Sequence, residues 1–373
     1  MNKLGFGFMR LPLVDPNDQK AIDLPQVEAM VDAFLKAGCT YCDTAWMYHS
    51  FMSEGVVGKA LVARHPRDRF TIASKMPVAM LHSHEEGVDI FARQKKKLGV
   101  DFFDYYLVHD MGGINYEKAK KYDMLTFLRE KRAQGEIRRL GFSCHDNAEF
   151  LDRVLTECPW FEFVQLQINY LDWESDGVQS RKCYEVCVKH DKPVIVMEPI
   201  KGGNLAKLPA PAEQMLRDLH PDWTPASWAL RFAASLPQVK VVLSGMSNLE
   251  QLKQNAELMR NMEPLNDAEK DVLARAATLI RDTIAIPCTG CHYCVEENEC
   301  PMGIPIPEYF SLYNTQAVYA NKDWTPEQGV YRNIVTRGGG RASDCVACRQ
   351  CERVCPQHIE ISSFMPEVAK ALE

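Results

Sequence analysis

Eight short β-prone runs recur along the chain: "LGFGFM", "TYCDTA", "FTIASK", "YYLVH", "IRRLGFS", "FVQLQIN", "PVIVME" and "VKVVLSG". A longer stretch of helical character follows each. The runs end near Met9, Asp43, Lys75, His109, Ser143, Gln167, Glu198 and Gly245, most of them roughly 30–35 residues apart, the interval of a strand–helix unit. Such alternation asks for a parallel sheet, because parallel neighbours need a crossover connection. Eight units in roughly 250 residues match a closed (β/α)8 barrel. The alternative is a doubly wound dinucleotide fold, which wants G-x-G-x-x-G between its first strand and helix. Here "GFGFM" lacks the third glycine, and "KGGN" comes only after the seventh run. In a barrel, chemistry is built on the C-terminal ends of the strands. Asp43, Lys75, His109 and Ser143 stand at such ends.

Residues 281–373 obey a different rule. Eight of the 14 cysteines fall there in two runs, "CTGCHYCVEENECP" and "CVACRQCERVCP". The second has the C-x2-C-x2-C-x3-C-P spacing of bacterial two-cluster ferredoxins, in which three thiolates reach one four-iron cluster and the fourth reaches the other. The first run is two residues longer before its last cysteine. Structural zinc is the competing reading, but zinc favours paired knuckles with four ligands per ion. A third cysteine at the same interval and two Cys-Pro pairs have no role in that scheme. By resemblance to the ferredoxins, one [4Fe-4S] cluster takes Cys288, Cys291, Cys294 and Cys355, and the other takes Cys345, Cys348, Cys351 and Cys300. The expected class is therefore α/β: a barrel over 1–280, then a small α+β ferredoxin-like domain over 281–373. Asn266 and Glu269 have the pattern of a capping box opening a linking helix that Pro287 ends. "IPEYFSLYNTQAVY" reads as a helix and "TRGGGRASD" as a loop.

The other six cysteines read as core. Cys39 and Cys42 lie at a strand, Cys183 and Cys187 are spaced i, i+4 in a helix, and Cys144 and Cys158 are isolated. A free cysteine packs as a small hydrophobe. The net charge of -7 argues against nucleic acid as the main partner. No apolar run reaches the ~18 residues of a membrane span, and Arg10 interrupts the short apolar run at the N-terminus. A cytoplasmic protein, without nucleic-acid or membrane partners, is expected.

"CDTAWMYHSFMSEGVVGKAL", with Lys75 in "IASK" and His109 in "YYLVHD", resembles the aldo-keto reductase family. The likeness is to its subgroup with a C-terminal two-[4Fe-4S] extension. It implies a catalytic tetrad of Asp43, Tyr48, Lys75 and His109. Tyrosine is a poor acid near neutrality, with a reference pKa of ~10, so a neighbouring ammonium is expected to lower it. Lys75 supplies that charge, Asp43 holds Lys75, Tyr48 gives the proton, and His109 orients the carbonyl or helps pass the proton. The resemblance also assigns cofactor positions. Ser143 and Gln165 would hold the nicotinamide amide, and Met197 stands where a stacking tyrosine is usual. Gly245, Ser247, Asn248, Gln251 and Asn255 would receive the adenosine phosphates at a helix start. Met246, Ser247 and Asn248 offer no cation to a 2′-phosphate, so NADH should serve at least as well as NADPH.

The implied activity is reduction of a small carbonyl, or oxidation of an alcohol, with NAD(P)H. The two clusters are expected to serve as an electron relay, with a ferredoxin-type carrier as the macromolecular partner. Two further readings stay open: a reductase with purely structural clusters, and an electron-transfer or redox-sensing protein with a vestigial barrel.

Overall fold

All eight β-prone runs are strands: β1 Leu4–Gly7, β2 Tyr41–Asp43, β3 Thr71–Met76, β4 Phe103–Val108, β5 Ile137–Cys144, β6 Val164–Gln167, β7 Val194–Met197 and β8 Val239–Ser244. Each pairs in parallel with its neighbour, and β8 closes on β1. The chain is thus a closed eight-stranded parallel barrel wrapped by helices, here in a computed structural model that describes residues 2–15, 18–175, 178–260, 262–281, 284–298, 300–316 and 325–373.

The two-residue period of a strand decides what faces the barrel interior. Tyr41, Ala73, Leu107, Phe163, Ile195 and Leu243 form a cluster of their own, separate from the larger core under the helices. Two residues beyond each of them lies Asp43, Lys75, His109, Gln165, Met197 and Gly245 in turn. The same step that fills the barrel with apolar side chains therefore delivers polar ones to its C-terminal mouth. Gly141, two residues before Ser143, has no side chain for a packing reason. A Cβ there would lie 2.5 Å from the Phe163 carbonyl and 2.7 Å from its ring.

The chain divides into two compact units. One comprises Met1–Ser175, Gln179–Ile200 and Ala226–Lys270; the other is mainly Lys201–Pro225 with Asp271–Glu373. The second unit thus gathers a segment from the middle of the sequence, including "KGGN". Its described helices include Ile306–Gln316, Pro326–Thr336 and Ile361–Leu372, around a core of Ile286, Ile306, Tyr309, Phe310, Ile361 and Met365.

The helix Asp267–Arg281 opens with the expected capping box. Asn266 N donates to Glu269 Oε2 (2.8 Å), and Glu269 N donates to Asn266 Oδ1 (3.0 Å). Its described part runs to Arg281, and residues 282–283 lie outside the described ones. The helix expected over 306–319 runs Ile306–Gln316, and residues 317–319 lie outside the described ones. The glycine run before the second cysteine group is pinned rather than open. A Cβ on Gly340 would lie 1.9 Å from the Met302 carbonyl, and Gly340 N donates to Gly303 O at 2.9 Å.

Cys39, Cys42, Cys144, Cys158, Cys183 and Cys187 are all buried. Burial pushes the Cys39 thiol up to about 11 and that of Cys183 to about 12. Such thiols are protonated and inert at neutral pH. No helix among the described residues is long and apolar enough to cross a membrane.

Candidate active site and cysteine centres

At the barrel mouth the Lys75 ammonium is fully buried and has three oxygen partners. It donates to Asp43 Oδ1 (2.5 Å), to the Thr44 carbonyl (2.8 Å) and to the Tyr48 hydroxyl (3.2 Å). Tyr48 opens a four-residue helix after β2, and the next three residues, His49, Ser50 and Phe51, take left-handed backbone angles. His109 follows β4 directly, with its ring edge-on to Tyr48 at 6.1 Å between centroids. All four side chains are buried.

Burial decides the electrostatics. Desolvation pushes the Tyr48 phenol up, and the Lys75 charge pulls it back only in part, so its value stays above the ordinary one. This departs from the lowering expected of a neighbouring ammonium: the sequence shows the cation but not the burial of the phenol. Burial pulls Lys75 down, but Asp43 and Tyr48 more than offset it, and the ammonium is held. Burial, then Lys75 and His145, drives His109 well below its usual range. A proton donor, a fixed cation and a neutral imidazole therefore share one site.

A network that the sequence did not announce holds Lys75 from behind. Glu54 Oε1 accepts from Ser74 Oγ and Gln94 Nε2, both at 2.7 Å. Gln94 Nε2 also donates to the Lys75 carbonyl (2.9 Å), and Tyr106 OH donates to Gln94 Oε1 (2.5 Å). The "SE" of "MSEG" is visible as part of a motif; the partners of Glu54 on the helix His84–Leu98 and on β3 are not.

The residues assigned to the nicotinamide amide lie beside the tetrad and have protein partners. Gln165 Nε2 donates to Asp43 Oδ2 (3.0 Å), and Ser143 Oγ accepts from Asp110 N (2.9 Å). Met197 is half-buried at the end of β7. The expected phosphate segment forms an exposed polar turn before the helix Leu249–Arg260. Ser247 N donates to Gln251 Oε1 (2.8 Å), Gln251 N to Asn248 Oδ1 (2.9 Å), and Asn255 Nδ2 to Ser244 Oγ (3.2 Å). An arginine stem packs beside this turn. The Arg10 side chain lies within 3.3 Å of where a Gly245 Cβ would be, and its carbonyl accepts from Ser247 Oγ at 2.9 Å. Arg10 is far from Gly245 in the sequence, so only closure of β8 on β1 reveals it.

In the second unit, a recess partly open to solvent is lined by Cys288, Cys291, Cys294 and Cys355. Burial, then the charges of Cys291, Cys288 and Cys355, push the Cys294 thiol up. For Cys351, pushed up to about 12, burial comes first, then Glu352, Cys300, Cys345 and Cys348. Each set of thiols is thus crowded, and such thiols either stay protonated or share a cation between them. Among the described residues, no three Cys, His, Asp or Glu side chains converge closely enough to hold a single ion. Thiols spread around a recess fit a multi-iron cluster, whose irons each take a separate thiolate.

Residues 3–276 match the aldo/keto reductase family, and residues 287–360 match a 4Fe-4S dicluster domain. The chain belongs to the aldo/keto reductase family. It carries a 4Fe-4S dicluster domain at its C-terminus. Among curated aldo-keto reductases, one from Mycolicibacterium smegmatis is 27% identical over 239 residues, 62% of this chain and 76% of that protein. A methylglyoxal reductase of Escherichia coli is 30% identical over 121 residues, 32% of this chain and 40% of that protein. The aldo-keto reductase of Bacillus halodurans superposes with a TM-score of 0.58 at 22% identity, covering 74% of this chain and 91% of its own. A Klebsiella pneumoniae aldo-keto reductase solved in complex with NADPH gives 0.56 at 23%, covering 74% and 90%. At such identities the superpositions speak for the fold.

Proposed function

We propose that this aldo/keto reductase reduces a small carbonyl with a nicotinamide cofactor, and that its C-terminal cysteines hold two [4Fe-4S] clusters serving as an electron relay. The contact of Lys75 with both Asp43 and the Tyr48 hydroxyl carries the first half. Reduced nicotinamide supplies hydride when bound, and the clusters supply one-electron exchange. The residues do the rest. Tyr48 accepts a hydrogen bond from Lys75, which leaves its own O–H to donate to the carbonyl oxygen. As hydride reaches carbon, that proton passes to oxygen, and the Lys75 charge stabilises the phenolate left behind. His109, neutral, directs the carbonyl without adding a second positive charge beside Lys75. Ser143 and Gln165 hold the nicotinamide amide, and Met197 packs on its ring.

The relay draws support from exposure. Cys348 is exposed, whereas Cys294 is buried. An exposed cluster edge is what an external carrier of ferredoxin type requires. Cys288, Cys291, Cys294 and Cys355 hold one cluster; Cys300, Cys345, Cys348 and Cys351 hold the other. Anaerobic protein should contain about eight iron and eight sulfide per chain; zinc without sulfide would end this reading. The relay has its own test. Oxidised protein is mixed rapidly with NADPH and a reactive aldehyde while cluster absorbance is followed. Absorbance changes that keep pace with nicotinamide oxidation support the relay; clusters silent through many turnovers leave a structural role.

Arg10 gives the phosphate segment the cation its own sequence lacks. Arg10→Ala should raise KM for reduced nicotinamide about tenfold and leave kcat nearly unchanged, the pattern of an interaction shared by ground and transition states. Steady-state kinetics with NADPH and with NADH check this, and an unchanged KM for both would show that the guanidinium faces elsewhere.

A further inference from the structure

The "KGGN" turn after β7 belongs to the cysteine unit. It forms a short 3-10 turn, Lys201–Ala206, and is fastened at three points. Gly202 has φ of +64°, and a Cβ on it would lie 2.3 Å from the Thr289 carbonyl, inside the first cysteine loop. Asn204 Nδ2 donates to the Cys288 carbonyl at 3.1 Å. Lys201, only 2% exposed, donates from Nζ to Gln357 Oε1 at 2.9 Å. Thr289, Cys288 and Gln357 all line the recess shared by Cys288, Cys291, Cys294 and Cys355. A buried lysine is costly, and a turn needing a glycine for both angle and space is not an accident of surface loop drift. The turn docks one fixed positive charge on one of the two cysteine groups.

Resting on the two-cluster reading above, we infer that Lys201 is a potential-setting residue: its buried ammonium raises the reduction potential of the cluster held by Cys288, Cys291, Cys294 and Cys355 above that of the other. A reduced cluster carries one more negative charge than an oxidised one, so a nearby cation favours the reduced form. Local groups add to the asymmetry. The backbone N–H groups of Ile359, Gln357 and His358 hydrogen-bond the Cys355 sulfur. Hydrogen bonds to cluster sulfurs raise the potential further. The first electron taken up therefore settles on the cluster beside Lys201.

The test is a dye-mediated redox titration of the whole protein, followed by paramagnetic resonance, with iron and sulfide measured on each sample. Wild type should show two one-electron steps. In Lys201→Met the higher step should move to lower potential. The ratio of reduced to oxidised cluster at the wild-type midpoint should fall at least tenfold, or 59 mV for one electron. The lower step should move less, and Lys201→Arg should restore the wild-type value. Lys201→Gln serves as a second uncharged variant. Full iron and sulfide with unmoved midpoints would overturn the inference. So would loss of iron in both uncharged variants with recovery in Lys201→Arg, which would make the lysine a structural pin. Wild type lacking eight iron would instead sink the two-cluster reading.

Discussion

Replacing Tyr48 by Phe lowers kcat for carbonyl reduction by about two to four orders of magnitude, the usual contribution of a positioned proton donor. Only the hydroxyl is lost, so the barrel and the nucleotide site stay as they are, and the Kd for NADPH should not move. The reason for so large an effect lies in the burial of the site. With the site buried, solvent protons do not readily replace the phenolic one. The pH profile carries the same signature. The acid form of Tyr48 is the active one, and its value lies above the ordinary ~10. Reduction should hold its rate until pH rises into that alkaline range. His109 is held well below its usual range, so no limb should appear near 6.5 on the acid side. Stopped-flow measurement of the hydride step checks both points. Near-normal turnover in Tyr48→Phe would show that the proton comes from another group.

What the sequence disclosed and what it hid follow from one physical distinction. Strand ends are local: a two-residue period and a run of β-branched residues suffice to put Asp43, Lys75 and His109 at one mouth. The cysteine spacing is local as well, and it carried the dicluster domain into view. Everything that depended on long-range closure was invisible. Arg10 meets Gly245 only because β8 pairs with β1. Lys201 meets Gln357 across 156 positions of sequence. "KGGN" was weighed against a phosphate-binding motif and set aside, whereas its glycine serves a backbone approach to Thr289. The direction of the Tyr48 shift was misjudged for a related reason. A charged neighbour can be read from a motif, but burial is a property of the packed site.

Stripping iron and sulfide from the anaerobic protein should unfold the second unit and leave the barrel folded. The core of that unit is small: Ile286, Ile306, Tyr309, Phe310, Ile361 and Met365 supply much of it, and Cys294 and Cys351, proposed above as cluster ligands, sit within it. Small domains with so little apolar burial commonly depend on a metal. In such domains the free energy of metal binding is free energy of folding. Without iron, the crowded thiols must also be buried protonated around a recess that nothing fills. The barrel has no such dependence, since a large core under its helices and a second cluster inside its strands are built of side chains alone. Limited proteolysis should therefore cleave the stripped protein within 284–373 at least tenfold faster than the intact protein, because cleavage tracks the open population. A barrel-sized fragment should survive and keep its circular dichroism. Cys294→Ala and Cys351→Ala should each move partway to the same result, with about four iron lost apiece. If the stripped protein resisted the protease as well as the intact one, the clusters would not hold this unit together. Completeness of their ligand sets would then have to be explained by electron transfer alone.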